Sequence, residues 1–331
     1  MAIVAVVGLL LGALPAHAAE GQPLTAVRLS EVVRSVFYAP QYVALALGFF
    51  EKEGLKVELS TAQGADKGMA ALLSGTVDIG FFGPEAAVYV YLRGAQDHAV
   101  GFAQLTARDG SFLMAREATP NFSWTDLKGK TVVGGRKGGV PEMVLEWIIR
   151  QHGLEPHKDV RIITNLAFEA APGAFEAGLG DYIAQFEPTM TAMEKRGIGR
   201  VVASLGVDGG EITYTVYHAR KSYMQRNPDV IQRFTNAIYR GQLWVQGHAA
   251  EEIAGVVAPF FPAMDRDVLV RTIQRYKDQR TWRLTPVISE KGFERLLEVM
   301  QAAGELQGSV SFDAIMTNRF SERAVAEVSE P

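Results

Sequence analysis

Lys130-Thr131-Val132-Val133-Gly134-Gly135-Arg136-Lys137-Gly138-Gly139-Val140-Pro141-Glu142 opens as a short apolar run, passes through a glycine-rich turn, and leads into an apolar-periodic segment, Met143 to Ile149. That order predicts strand, turn, helix. Backbone N–H groups at the start of such a helix lack intrahelical partners, and the dipole there favours an electron-rich group. The glycines permit backbone angles and a close approach that side chains forbid. Arg136 and Lys137 add positive charge. Two readings fit these residues: a cradle for an anion or small molecule, or an ordinary tight connection with solvated basic side chains. The stretch lacks the Gly-Lys-Ser/Thr ending of a nucleotide P-loop.

The same grammar extends in both directions. Upstream, Val27–Val33, Leu55–Leu59 and Val77–Phe82 read as strands, and Tyr42–Phe50, Met69–Leu73 and Glu85–Leu92 as helices. Two further strands, Ala99–Leu105 and Phe112–Ala115, flank Arg108-Asp109-Gly110. Downstream the strands are Thr131–Gly134, Val160–Thr164, Asp181–Gln185, Arg200–Ala203 and Ile212–His218. They alternate with helices at Pro141–His152, Ala170–Gly178 and Thr189–Gly197, before a long helix, Asp229–Gly247, and a largely helical C-terminal portion. Alternation of this kind predicts an α/β fold with mostly parallel sheets, in two halves of similar order. Ligands of open α/β sheets bind beyond the C-terminal strand ends. The loops there are Arg34–Tyr38, Gln63–Asp66, Phe81–Glu85, Gly135–Gly139 and Phe186–Pro188. Their mixture of aromatics, glycines and a few charges suits a cleft with apolar walls and oriented polar groups.

Composition narrows the function. A chain of 331 residues accommodates two domains, and 48% hydrophobic with 21% charged residues is a globular balance. The net charge of −4 gives no electrostatic support to nucleic-acid binding. With no cysteine there is no disulfide, thiolate zinc site, cysteine nucleophile or lipoprotein anchor. The six histidines (His17, His98, His152, His157, His218 and His248) show no i, i+4 pair of a helical zinc motif, and no Gly-x-Ser-x-Gly occurs. Ala2 to Leu14 is an apolar run closed by Pro15 and Ala16-His17-Ala18, which predicts an export signal over residues 1–18 cleaved near Ala18. A periplasmic location is therefore expected.

Tyr38-Ala39-Pro40-Gln41-Tyr42-Val43-Ala44 and Gly48-Phe49-Phe50-Glu51-Lys52-Glu53-Gly54-Leu55-Lys56-Val57-Glu58 resemble the opening of the periplasmic substrate-binding proteins of ABC importers. The branch is the one for nitrate, sulfonate, taurine and thiamine-pyrimidine ligands. Leu73-Ser74-Gly75-Thr76-Val77-Asp78-Ile79-Gly80, Leu127-Lys128-Gly129-Lys130-Thr131-Val132, Glu187-Pro188 and Ala303-Gly304-Glu305-Leu306 continue the resemblance over about residues 26 to 320. It implies a two-lobed, type II periplasmic binding protein fold closing on a ligand in the cleft between lobes. Lobe one is expected at 19–115 and 216–331, with the C-terminal helices packed on it, and lobe two at 116–215. A small-molecule ligand and a membrane permease are the implied partners, the chain is expected to be a monomer, and no cofactor is implied.

Mapped onto this chain, the family's contact loops give the candidate ligand-binding residues. Arg34 and Gln63 lie in the first two exit loops. Phe37 and Tyr38 read either as packing or as a stack on a flat ligand. In the Phe82-Gly83-Pro84-Glu85 turn, Glu85 either caps its own helix or accepts hydrogen bonds from a ligand amine. Gly135, Arg136, Gly138 and Gly139 form the lobe-two cradle. Glu187 stands at the family's Glu-Pro position, and Thr213 and Tyr214 on the returning strand. Arg136 favours an anionic head, such as sulfonate or nitrate. The aromatics with Glu85 and Glu187 favour a donor-bearing heteroaromatic such as an aminopyrimidine, the preferred expectation. A sensor module would present the same cleft. The resemblance also reaches thiamine-pyrimidine synthases, which need iron and a cysteine-rich motif; without cysteine a non-enzyme is expected. The basic segments Arg271–Lys277 and Arg280–Arg283 read as the solvated face of an amphipathic helix.

Overall fold

Two five-stranded sheets frame the molecule. The computed structural model describes residues 23–329, so the export-signal reading lies outside the described residues. The first sheet is built from β1 (Thr25–Glu31), β2 (Leu55–Thr61), β3 (Ile79–Phe82) and β4 (Ala99–Thr106). The second contains β5 (Ser111–Ala115), β6 (Thr131–Val133), β7 (Arg161–Ile163), β8 (Tyr182–Phe186) and β9 (Arg200–Ser204). The last strand, β10 (Thr215–Arg220), returns to the first sheet. The strand orders are β2-β1-β3-β10-β4 and β7-β6-β8-β5-β9.

Local chemistry sets these strands. All four residues of β3 are buried, as an apolar run between two covered faces requires. At the sheet edge, β2 alternates along its length. β1 pairs in parallel with β2 and β3, and β6 with β7 and β8. β10 runs antiparallel between β3 and β4, and β5 antiparallel between β8 and β9. Each sheet is thus mostly parallel, with one strand reversed. Helices flank both sheets. The longest, Pro228–Gly247, buries Ile231, Phe234, Ile238, Gly241 and Val245 along one face, the spacing of an amphipathic helix.

The lobe boundary differs from the sequence expectation at one end. β5 pairs inside the second sheet, so the chain crosses through Ala107–Gly110 and not after residue 115. The apolar run Phe112–Ala115 marks a strand but carries no information about which sheet receives it. Gly110 lies at this crossing, where an added Cβ would stand 2.5 Å from the Phe37 ring and 2.8 Å from that of Phe186. Only glycine lets the backbone pass there.

The C-terminal helices are not confined to lobe one. Helix Arg266–Asp278 reaches helix Thr189–Lys195 of lobe two, and helix Glu290–Ala302 packs on helix Val140–Gln151. The basic segment, expected to be solvated, supplies part of this contact. Arg275 Nη1 donates to Glu187 Oε1 at 2.6 Å and Nη2 to Glu194 Oε2 at 2.5 Å. Lys277 Nζ donates to the carbonyls of Val245 at 3.3 Å and His248 at 2.5 Å. Spacing identifies the apolar face of such a helix but not the acid that waits beside its polar one.

The Glu187 side chain is fully buried, so removing its cation leaves an uncompensated charge. Arg275→Ala is expected to cost about 3 kcal/mol of unfolding free energy in urea denaturation. A loss below about 0.5 kcal/mol, the level of an exposed pair, would show that the contact is peripheral.

Candidate functional site

The loops at the C-terminal strand ends of the two lobes meet along one seam. After β1, Ser35 caps a short 3-10 turn, Val36–Tyr38, through its side chain and places Phe37 and Tyr38 on the seam. After β3, Gly83 and Pro84 lead into helix Glu85–Leu92. Lobe two presents the Gly134–Gly139 loop after β6 and Phe186-Glu187 after β8. Contacts across the seam hold the lobes together. Tyr89 Oη donates to the Gly138 carbonyl at 3.0 Å, Ser35 Oγ to the Glu187 carbonyl at 3.4 Å, and Arg136 pairs with Asp66 at 3.1 Å.

Phe37 is the centre of this seam. Its ring lies 5.5 Å from Tyr38, 5.6 Å from Phe186, 5.5 Å from Tyr214 and 5.3 Å from Tyr276, between centroids. Tilted and edge-on pairs at these distances are favourable aromatic geometry. The Phe37 carbonyl accepts from Trp282 Nε1 at 2.9 Å, and Tyr276 Oη donates to the Gly110 carbonyl at 3.1 Å.

Beside the aromatic box, three buried polar atoms make no hydrogen bond of ordinary geometry among the described residues: Glu85 Oε2, Asp109 Oδ2 and Tyr214 Oη. Their residues are 6%, 1% and 6% exposed. Burial pushes the Glu85 carboxyl up to about 7, against backbone N–H groups of Glu85 and Ala86 that favour the charged form. The side chain folds back over Gly83, where an added Cβ would stand 2.1 Å from Oε2. Burial likewise pushes Asp109 up to about 6, although Ser111 N at 2.6 Å and Ser111 Oγ at 2.5 Å donate to its other oxygen. The Tyr214 phenol is pushed well up by burial, by the Asp109 charge and by its hydrogen-bonding approach to the Asp109 side chain, with Tyr38 and Glu85 acting in the same direction, so Asp109 and Tyr214 partner one another in this neighbourhood. Unpaired buried polar atoms are costly and uncommon, and an absent polar ligand is one explanation of such a group.

The other sequence candidates have different surroundings. Arg34 donates to buried Glu31 at 2.7 Å and lies over the Tyr42 ring; Glu31 also accepts from Gln41 and Tyr42. Gln63 is exposed, in a left-handed backbone conformation. Phe82 is fully buried within lobe one, stacked on His218 at 4.6 Å and covering Gly68 and Gly80. Pro84 is buried at the helix start. In the lobe-two loop, Gly138 N donates to Glu142 Oε2 at 3.2 Å and Gly139 N to the Arg136 carbonyl at 3.0 Å, so the cradle binds part of itself. Gly135 packs against the Glu142 backbone. The Arg136 side chain is 58% exposed on Asp66, whose carboxyl it holds below the usual range. Glu187 is saturated by Arg275 and by Thr191 N and Oγ1, both at 2.9 Å. Thr213 Oγ1 donates to the Ser289 carbonyl at 2.9 Å. Phe37, Tyr38, Glu85 and Tyr214 come together; Arg34, Phe82, Glu187 and Thr213 are engaged in packing or hydrogen bonds.

Sequence reasoning missed Asp109 and Tyr276. Tyr276 reads as one more apolar position of an amphipathic helix. Asp109 reads as a turn residue; an acid between two apolar strands was its only signal. Outside the seam, Glu142, Glu146 and His157 bring one potential ligand atom each within 4.8 Å of one another. Arg150 Nη2 donates to Glu146 Oε2 at 2.9 Å and opposes a cation there. Glu142, raised to about 8 by burial and by Glu146, fits a carboxyl sharing a proton with its neighbour. A surface groove of about 530 Å³ bordered by Ala118–Phe122 and Arg200–Val202 lies at the β9 edge, where Arg200 is the one charged residue.

Comparison with known proteins places the chain. The NMT1/THI5-like family model matches residues 36–252. "Putative binding protein YtlA" of Bacillus subtilis is 42% identical over 308 residues, 93% of this chain and 92% of that protein. The 4-amino-5-hydroxymethyl-2-methylpyrimidine phosphate synthase of Candida albicans is 24% identical over 75% of this chain and 77% of its own length. The alkanesulfonate-binding protein SsuA of Xanthomonas axonopodis pv. citri, solved bound to MOPS, superposes with a TM-score of 0.72 at 17% identity, over 90% of this chain and 100% of that one. The chain belongs to the NMT1/THI5-like family and has the two-lobed periplasmic binding protein fold.

The buried Glu85 sets a pH dependence. Its folded pKa of about 7 exceeds the ordinary 4.5, so its contribution to stability is complete below 4.5 and is lost as pH rises through 7. In ligand-free protein Glu85→Gln is expected to be more stable than wild type by about 3 kcal/mol at pH 8, with the gap closing by pH 4.5. Denaturation midpoints across that range check it; a variant less stable at pH 8 would mean the carboxylate has a partner.

Proposed function

We propose that this protein is the solute-binding component of an ABC-type importer, exported to the periplasm. It closes its lobes, as a monomer, on a small heteroaromatic ligand bearing hydrogen-bond donors, of the thiamine-pyrimidine-precursor type. It carries out no chemistry; it captures the ligand and presents it to a membrane permease. The observation that carries the ligand class is the buried, unpartnered Glu85 carboxylate oxygen beside the Phe37–Tyr38 aromatic box. A ring amine satisfies that oxygen and a flat ring fits aromatic walls. An oxyanion would meet repulsion from Glu85 and Asp109. The likeness to a protein named for pyrimidine phosphate synthesis supports the same ring.

The mechanism is closure. Ligand contacts made to both lobes exist only in the closed form and shift the population towards it. Phe37 and Glu85 stand on lobe one, Phe186 and the Gly138 loop on lobe two, so a ligand at the seam touches groups that separate when the lobes open.

A second reading, an alkylsulfonate or nitrate binder, rests on Arg136 and on the likeness to a sulfonate binder. In it the anion displaces Asp66 from Arg136 and draws on the remaining loop amides.

Thermal denaturation separates the two. A 4-aminopyrimidine at 100 times its dissociation constant is expected to add about 2.7 kcal/mol of stability, while alkylsulfonates and nitrate add none. Glu85→Ala is expected to weaken pyrimidine binding at least tenfold, and Arg136→Ala to change it less than threefold. Stabilisation by sulfonate alone, lost in Arg136→Ala, would overturn the pyrimidine reading in favour of the second.

A further inference from the structure

The two sheets share one plan. β2 and β7 are outer strands, β1 and β6 lie beside them, and β3 and β8 follow, all in parallel. The loop that leaves β7 therefore stands on lobe two where the Gln63–Asp66 loop stands on lobe one, at the C-terminal strand ends that form the seam. It carries Phe168, which is 42% exposed and is the one aromatic among the exposed large apolar side chains of the described residues. A single apolar side chain on a surface is ordinary. Phe168 differs because it continues a file of rings. Its centroid lies 5.8 Å from Phe186, and Phe186 lies 5.6 Å from Phe37. Exposure rises along the file, from buried Phe37 through half-buried Phe186 to Phe168.

The outermost ring is held in place. Gln185, buried in β8, donates from Nε2 to the Phe168 carbonyl at 3.3 Å, and its Oε1 accepts from Phe186 N at 2.8 Å. One side chain thus ties the two aromatic residues together. The Ala167 carbonyl accepts from Ala170 N at 3.0 Å and from Ala171 N at 3.2 Å, which closes Phe168 inside a turn before helix Ala171–Glu176. A fixed turn that presents a ring to water leaves apolar area uncovered, and covering it is favourable.

We propose that Phe168 and Phe186 form an outer aromatic subsite on the lobe-two side of the cleft mouth, which takes an aryl extension of the captured solute. The inference rests on the reading of the seam as the solute site, and it holds whether the head of the solute is an amine on Glu85 or an anion on Arg136. A head group of one small ring or a short chain leaves Phe168 uncovered; a fused or appended ring covers it. The contact of a second ring with Phe168 is favourable beyond the area it removes from water. The preferred solutes are therefore bicyclic or aryl-bearing.

Isothermal titration of the full mature protein tests this with each head group, with and without the extension: 4-aminopyrimidine against 4-aminoquinazoline, and methanesulfonate against benzenesulfonate. For whichever head binds, wild type is expected to hold the aryl compound at least about tenfold tighter. In Phe168→Ala, and in Phe168→Gln, which keeps the length and removes the ring, that ratio is expected to fall to about threefold or less. Affinity for the smaller compound is expected to change less than about twofold, and Phe168→Tyr to keep the wild-type ratio. A ratio near one in wild type, or one kept in both ring-less variants, overturns the subsite and leaves the head-group reading standing. A ratio seen with the sulfonates alone and lost without the ring upholds the subsite and overturns the aminopyrimidine reading. Binding of none of the four overturns both.

Discussion

Each sheet is completed by a strand that the crossing chain delivers. β5 inserts between β8 and β9 immediately after leaving lobe one, and β10 inserts between β3 and β4 immediately after leaving lobe two. Neither strand can slide without breaking two ladders, and both are buried on both faces, so a slip would mismatch packing on each side. The crossings are consequently short and pinned at both ends. This constraint fixes the distance between the lobes at the hinge. It also delivers Asp109, Gly110 and Tyr214, buried, beside the Phe37 aromatic cluster.

Buried acids sort into two kinds in this molecule. Glu31 receives donors from Arg34, Gln41, Tyr42 and Thr61, and Glu187 from Arg275 and Thr191. These charges are matched, and they specify how loops and helices dock. Glu85 keeps an oxygen that nothing meets, and Asp109 one that only the Tyr214 phenol approaches. A fold retains such atoms against their desolvation cost only when something outside the chain satisfies them, or when strain at that point is tolerated. The contrast separates carboxylates that dock one element on another from those whose oxygens take no part in docking.

Much of the architecture is legible in the sequence, because strand alternation and helical period are local signals. Helix Glu85–Leu92 begins and ends where its pattern does. The exit loops named from strand ends are the loops that meet at the seam. Partners distant in sequence were not legible. Glu187 and Thr213 look available in a linear reading, and each is engaged by a residue that only the fold brings near, Arg275 and Ser289 of the C-terminal part, whereas Arg34 turns back on Glu31 three residues earlier. Phe82 follows the same logic, since strand alternation puts it opposite Phe81, and its neighbour His218 arrives from lobe two's return. Asp109 was hidden for the converse reason. A short polar break between two apolar runs looks like a turn, and nothing local reveals that it is buried.

The Arg136–Asp66 pair spans the mouth of the cleft with both side chains more than half exposed. Exposed pairs of this kind contribute little and are screened within about 8–10 Å at physiological salt. The rim therefore acts as a weak clasp beside an aromatic seam. The firmer hold between the lobes lies away from this rim, in the buried Arg275–Glu187 pair and in the C-terminal helices that dock on lobe two. Salt that loosens the rim pair therefore leaves the docking of the lobes largely intact.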